Sequence, residues 1–505
     1  MPRKSGGSYL RRRRILDRDP AMRIAVREFG FFIRNLSLRV PFRYGIATMT
    51  HTPHLVVRLL VEIDGARQHG FAADNLIPKW FTKNPDTPYS EEIAGMIEVA
   101  HHAAETACGL PPMSSVFGLW QEIRQAQETW AQARQIPPLL FHFGVSLVER
   151  AIIDAFCRAT RTTLAQAVRA NALGIDLASI HHELAGLAPA DLLPPAPERS
   201  IILRHTVGMA DPLVDGEEHD HPDDGLPLSL EAFIRAHGLT HFKIKLGGDI
   251  ERDHKRLHRV AEVIEKHTSE YFFTLDGNES YRTVAPFRAL WEGFLADPSI
   301  ARFLQHLIFV EQPFHRAVAL AESTTAELLA WTNRPPIIID ESDAECASLP
   351  TALAGGYAGT SHKNCKGVIH GIASACLIAR RRRMQPQTSL HMSAEDLTNR
   401  GPVALLQDLA VVATLGIAHV ERNGHHYFAG LSQFPGSVQR ETLRCHGDLY
   451  QPSADGFPIV AIKDGRLAIG SVVDAPFGVA FEPDLAEFTP VDTWRFASLE
   501  TVSKG

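Results

Sequence analysis

The sequence predicts an α/β fold whose main unit is a TIM-type barrel. Short apolar runs recur from Ile201-Ile-Leu to Ile417–Val420, with amphipathic helical stretches between them. Strands alternating with helices are the mark of βα units around a parallel sheet. With three later candidates that are less apolar, eight strand candidates lie between Ile201 and about Glu421, which is the number a barrel needs. No GxGxxG or GxxxxGKS/T loop follows an early strand. An open, doubly wound nucleotide-binding sheet is the runner-up and would want one.

Residues 1–21 read as a flexible tail, and the Arg11–Arg14 run as solvated charge rather than a polyanion site. Residues 22–199 read as an α+β unit. Ile33, Leu36, Leu38 and Val40 alternate towards Pro41, and Leu55–Ile63 ends at Asp64-Gly65, giving two antiparallel strands. From Ser90 to Ala133, and again over Val145–Arg161 and Leu164–Ala172, apolar residues fall at helical spacing. Val148, Ile152 and Phe156 share one such face.

Residues 200–430 carry the barrel pattern. The strand candidates are Ile201-Ile-Leu, Phe242–Leu246, Phe272–Leu275, Leu307–Val310, Ile337–Ile339, Gly359–Asn364, Thr388–Met392 and Ile417–Val420. The acidic insert Asp211–Asp224, with His219 and His221, reads as a solvated loop. Residues 431–505 turn strand-like again, with Pro458–Lys463 and Arg466–Ile469 flanking Asp464-Gly465. This end is expected to pack back on the N-terminal unit.

Composition excludes several classes. The net charge of −7 gives no reason to expect nucleic acid or an anionic membrane as partner. No apolar run approaches the roughly 20 residues of a membrane span. No signal-peptide stretch follows the basic run near the start. The six cysteines are scattered and form no CxxC pair, as expected of free thiols in a reducing cytoplasm. The expectation is a cytoplasmic enzyme with a small-molecule partner.

The chemistry sits at strand ends. Lys243 and Lys245 lie in the second candidate strand. Asp276 and Asn278 follow the third, Glu311 the fourth, Asp340 and Glu341 the fifth, and Lys363 and Lys366 lie at the sixth. Each step from 276 to 311 to 340 to 363 is close to one βα unit. A barrel places its active site at the C-terminal ends of its strands, so these side chains should converge. Each alone reads as a strand-end charge facing water. Three carboxylates in register, each directly after an apolar run, form an oxygen-rich set suited to a hard cation such as Mg²⁺. Lysines on opposite walls would flank it.

Phe-Lys-Ile-Lys-Leu, Leu-Asp-Gly-Asn, Val-Glu-Gln-Pro and Ile-Asp-Glu-Ser, then a Lys before Gly-Val, resemble the enolase superfamily. Its mandelate racemase and muconate lactonizing enzyme branch, with a Lys-x-Lys motif, is the nearest likeness. Pro41-Phe-Arg-Tyr-Gly, Val61–Gly70 and Asp474-Ala-Pro-Phe-Gly-Val are similar to the family's cap. The resemblance implies a modified (β/α)7β barrel over 200–430 and a capping domain over 22–199, to which 431–505 returns. It implies that Asp276, Glu311 and Asp340 hold Mg²⁺, with Asn278 and Glu341 as supports. Lys245 and Lys363 become acid/base groups on opposite faces of the substrate. Lys363 is preferred to Lys366 because the family places its base first in a Lys-x-x-Lys pair.

Lys243 would help depress the pKa of Lys245, from about 10.4 towards the roughly 7–8 that suits a base. The implied reaction is removal of the α-proton of a carboxylate substrate to give a metal-stabilised enediolate. The family's outcomes include racemisation or epimerisation, dehydration by β-elimination, and cycloisomerisation; lysines on both faces favour the first. A non-catalytic metal-binding barrel is disfavoured, because every ligand and both lysines are present. His391 and Glu395 at the seventh strand are candidate substrate contacts, as are Tyr44 and His51, with Phe42, Thr48 and Trp80, on the cap. Glu421-Arg-Asn lacks the Asp-x-Asp of dipeptide epimerases, which lowers that activity. The family likeness also implies a homo-oligomer.

Overall fold

A computed structural model describes residues 22–44, 47–217, 222 and 224–499. The expected tail 1–21, and His219 and His221 of the insert, lie outside the described residues. Strands β1 (Ile24–Tyr44), β2 (Ala47–Ile63) and β3 (Ala66–Asn75) form an antiparallel meander. The sequence pattern gave two strands here. The third follows because Asp64 and Gly65 both take positive φ, 51° and 85°, the turn geometry that sends a hairpin back on itself. Its first residues, Arg67, Gln68 and His69, are polar and hide the alternation.

Three long helices, Tyr89–Gly109, Val116–Gln132 and Pro138–Thr160, pack beside this sheet. The last is buried over almost its whole length. Two glycines allow that approach. A Cβ on Gly70 would sit 2.0 Å from the Ala151 carbonyl oxygen, and one on Gly144 would sit 2.2 Å from that of Val99.

The larger sheet is parallel. Strands β4 (Ser200–Val207), β5 (His241–Lys245), β6 (Phe272–Asp276), β7 (Leu307–Glu311), β8 (Ile337–Ile339), β9 (Gly359–His362) and β10 (His391–Ala394) pair in chain order. Strand β11 (His419–Arg422) pairs, also parallel, with the free side of β4. The sheet therefore curls back towards its first strand. The last two strands start later than the apolar runs indicated. A turn over 386–388 delays β10, so His391 opens that strand and Glu395 directly follows it.

The C-terminal region departs from expectation in two ways. Gly436–Cys445 is helical. After β12 (Tyr450–Pro452) and β13 (Pro458–Val460), the hairpin of β14 (Ile462–Lys463) and β15 (Arg466–Ala468) pairs with β4 of the large sheet, not with the N-terminal sheet. β16 (Thr489–Pro490) pairs with β1, and Arg34 donates to the Gln433 and Glu487 carbonyls and Arg158 to those of Val479 and Phe481, so this end also packs on the N-terminal unit.

The insert is not a plain solvated loop either. Leu213 is fully buried. Asp211 accepts bonds from the Gly208 N–H at 2.7 Å and the Tyr427 hydroxyl at 2.9 Å. Asp224 receives both arms of the buried Arg39 guanidinium, at 2.6 and 2.7 Å. The six cysteines are free thiols. Among the described residues no helix is long and apolar enough to cross a membrane.

Candidate active site

Alternation along β5 sends Phe242 and Ile244 to one side and Lys243 and Lys245 to the other. Lys243 is buried, and its ammonium lies 2.6 Å from Glu395, 2.9 Å from Glu311 and 3.0 Å from Asp276. Lys245 reaches Asp276 at 2.5 Å and the Asn278 side-chain oxygen at 3.0 Å. Four strands further on, directly after β9, Lys363 reaches Asp340 at 2.6 Å and Glu395 at 2.7 Å. Lys243, Lys245 and Lys363 line one cavity that opens to solvent, together with Asp276, Asn278, Asp340, Glu341, Glu395 and Glu421.

The loops that present these carboxylates are held in uncommon backbone conformations. Asn278, Glu279 and Gln312 have φ of 46°, 60° and 35°, a left-handed region uncommon for residues other than glycine. The Asn278 N–H donates to Asp276 at 2.9 Å. The Gln312 side-chain oxygen accepts from the Asp340 N–H at 2.7 Å, and Ser361 donates to the Asp340 carboxylate at 2.6 Å. Asp276 is thus aimed by its own loop, and Asp340 by groups from the strands on either side.

Burial opposes charge on Lys243, yet Asp276, Glu311, Glu395 and Glu421 outweigh it and hold its pKa well above the usual lysine value. Lys363 is raised in the same way: burial is overcome by Asp340 and Glu395. Lys243, expected to help depress the pKa of Lys245 by like-charge repulsion, has carboxylates around its own ammonium. Its charge is matched by three carboxylates within 3.0 Å. Burial and the neighbouring Glu395 push Glu311 well up. Burial, with Asp340 and Glu279 close by, raises Glu341 to about 8.

The outer wall comes from the N-terminal region. Phe42, Ile77, Lys79, Trp80 and Lys83 line the cavity. Lys363 lies 5.2 Å from the centre of the Trp80 ring. Arg316 pairs with Glu279 at 2.7 Å and donates to the Trp80 and Phe81 carbonyls, each at 2.8 Å. Lys83 bonds the Asn278 carbonyl at 2.8 Å. These long-range clamps left no local mark in the sequence.

Other expected contacts fall elsewhere. His51 and Thr48 line a different cavity, with Tyr89, Phe496 and Leu499. Tyr44 ends β1 opposite Ala47, and its side chain falls outside the described residues. His391 stands at the start of β10, the far end from the lysines. It bonds Ser389 at 2.8 Å and packs on Phe309, and burial lowers its pKa to about 4. Glu395 does lie in the cavity, but it engages Lys243, Lys363 and, at 3.2 Å, Arg204 of β4. Lys366, passed over in favour of Lys363 as the base, grips Asp340 at 2.9 Å to the carboxylate and 2.8 Å to the carbonyl.

The donor set suits a hard cation. Among the described residues, carboxylate oxygens of Glu311, Asp340 and Glu395 come within 4.8 Å of one another, and Asp276 joins them across the Lys243 ammonium. One oxygen of Glu311, Oε2, is buried without a hydrogen-bond partner. An orphaned carboxylate oxygen facing other carboxylates is costly without a cation or proton to meet it.

No family model matches the chain. No curated protein matches it by sequence either. Solved structures do match. A mandelate racemase/muconate lactonizing protein from Herpetosiphon aurantiacus is 15% identical, with 91% of this chain and 99% of that one covered and a TM-score of 0.56. Muconate lactonizing enzyme from Mucobacterium Smegmatis, complexed with muconolactone, is 17% identical, covers 91% and 97%, and has a TM-score of 0.54. An enolase from Bradyrhizobium, complexed with magnesium and mandelic acid, is 14% identical, covers 93% and 97%, and has a TM-score of 0.52. At these identities the likeness is one of fold, and it agrees with the resemblance the motifs carry.

Proposed function

We propose that the chain is a Mg²⁺-dependent enzyme of the enolase superfamily that removes the α-proton of a small carboxylate substrate, acting as a racemase or epimerase. In this reading the curled parallel sheet is the modified barrel, and the N-terminal sheet and helices are its cap. One observation carries the reaction type: Lys245 and Lys363 enter the same cavity from strands four apart, with the carboxylates between them. In a ring of eight strands, positions four apart face each other.

Asp276, Glu311 and Asp340 would hold the cation, beside Glu395. When bound, Mg²⁺ supplies positive charge where the substrate carboxylate gathers negative charge as its α-proton leaves. The complexes of similar structures with magnesium and mandelic acid, and with muconolactone, support a cation and a carboxylate ligand here. One lysine takes the α-proton from one face, and the other returns a proton to the opposite face. A base must be neutral, and Lys363 is held protonated by Asp340 and Glu395. A divalent cation held by those carboxylates would offset their pull and bring the lysine down towards a working range. Glu395 positions both Lys243 and Lys363, and Trp80 covers Lys363 on the solvent side.

The test is proton exchange in D₂O with Mg²⁺, screened over chiral carboxylates and read by mass, then by NMR on pure enantiomers. Lys245→Ala and Lys363→Ala should each abolish racemisation. Each should still exchange the α-proton of one enantiomer, and the two variants should keep opposite ones. If both variants exchange neither, the two-face arrangement fails, and a one-base elimination replaces it.

A further inference from the structure

Away from the cavity, two imidazoles and a carboxylate converge on the outer helices. His254 and His258 are one turn apart on the helix Ile250–His267, so their rings share a face. Asp297 ends the neighbouring helix Val284–Ala296. Its Oδ1 is taken by the Ser299 N–H at 2.9 Å and the Ser299 hydroxyl at 2.5 Å. Its Oδ2 stays turned to the histidines, 3.3 Å from His254 Nε2 and 2.6 Å from His258 Nε2. The His254 ring stacks on Phe294 at 5.6 Å, which fixes its direction. The three ligand atoms lie within 4.8 Å of one another.

We propose that His254, His258 and Asp297 form a second metal site, which takes a borderline divalent transition ion, Zn²⁺ in the first instance. Two neutral imidazoles and one carboxylate make a three-ligand set that leaves a fourth, tetrahedral position to water. The side chains are partly exposed, at 29%, 29% and 19%, so both ion and water can reach it. Imidazole nitrogen favours Zn²⁺ over Mg²⁺, which wants oxygen ligands throughout. The two sites therefore sort metals by donor chemistry. The Asp297 Oδ2 now accepts from His258 Nε2; the ion would take the place of that proton. Ser299 already holds the other oxygen, so little of the carboxylate's freedom remains to be lost on binding. The ion would join the helix after β5, the lysine strand, to the helix after β6, the Asp276 strand.

The experiment titrates Zn²⁺ into the full chain under saturating Mg²⁺, by calorimetry and by metal content after desalting. One Zn²⁺ per chain is expected, with a raised thermal midpoint. In His254→Ala, His258→Ala and Asp297→Asn that binding should weaken by about tenfold or more, with far-UV circular dichroism unchanged. Glu311→Gln, altered in the carboxylate cluster, should keep it. If the three outer variants bind Zn²⁺ as the unaltered chain does, or if Glu311→Gln alone removes it, the proposal is overturned. It is also overturned if the unaltered chain takes up no Zn²⁺ in the presence of Mg²⁺.

Discussion

Lys363 and Lys366 are three residues apart, and the geometry gives them different work. Lys363 opens on the cavity. Lys366 points behind Asp340 and donates to the carbonyls of Asp340 and Ser361, both at 2.8 Å. Removing a buried ammonium strands those acceptors and unbalances Asp340, so Lys366→Ala should cost about 3 kcal/mol of stability, measured by urea unfolding. It should leave exchange of both enantiomers detectable in whatever fraction stays folded. Should Lys366→Ala lose one enantiomer while Lys363→Ala keeps both, the two roles are exchanged. Asp276, Glu311 and Asp340 were legible in the sequence because each comes at the end of an apolar run that reads as a buried strand, whereas Lys363 and Lys366 follow Gly-Thr-Ser-His, and the choice between them rested on the family resemblance. His391 shows the limit: a shift of β10 by a few residues put it at the wrong end of its strand, and the same shift put Glu395 in the site.

The element that sequence reasoning served least is the insert. Its acidic composition reads as solvation, because the partners that use those charges come from remote parts of the chain. Arg39 lies in β1, yet it binds Asp224 with two arms and donates to the carbonyls of Pro227 and His426, both at 3.0 Å. One guanidinium thus pins the N-terminal sheet to the loops after β4 and β11. Arg39→Ala leaves Asp224 and these carbonyls without their donor. A loss of about 3 kcal/mol or more is expected, read by urea unfolding. Replacing Asp211–Asp224 with a Gly/Ser linker should destabilise the protein comparably. A linker variant of unchanged stability would show that the clasp adds nothing and would return the insert to a plain loop. In the same way, the clamp of Arg316 on the Trp80 and Phe81 carbonyls was invisible beforehand, since no periodicity marks an arginine that bonds a backbone more than 200 residues away.

Across the whole molecule, the proposed cation does more than polarise a substrate. Asp276, Glu311 and Asp340 follow three consecutive strands, and β8 is only Ile337–Ile339, with few ladder bonds to keep it in register. An ion held by all three would tie β6, β7 and β8 at the end where the loops are strained. Without the ion the sheet still has a counter-charge, because the Lys243 ammonium stands among Asp276, Glu311 and Glu395. The fold should therefore survive chelation, with a lower thermal midpoint. Mg²⁺ at a hundred times its dissociation constant should add about 2.7 kcal/mol, seen as a rise of a few degrees over the EDTA-treated protein. Asp276→Asn and Glu311→Gln should remain folded by far-UV circular dichroism and lose that Mg²⁺-dependent rise. These variants keep His254, His258 and Asp297, so a Zn²⁺-dependent rise should persist in them and separate the two sites. An undiminished Mg²⁺ response in both variants would place the cation elsewhere and remove the ground for giving these carboxylates a metal.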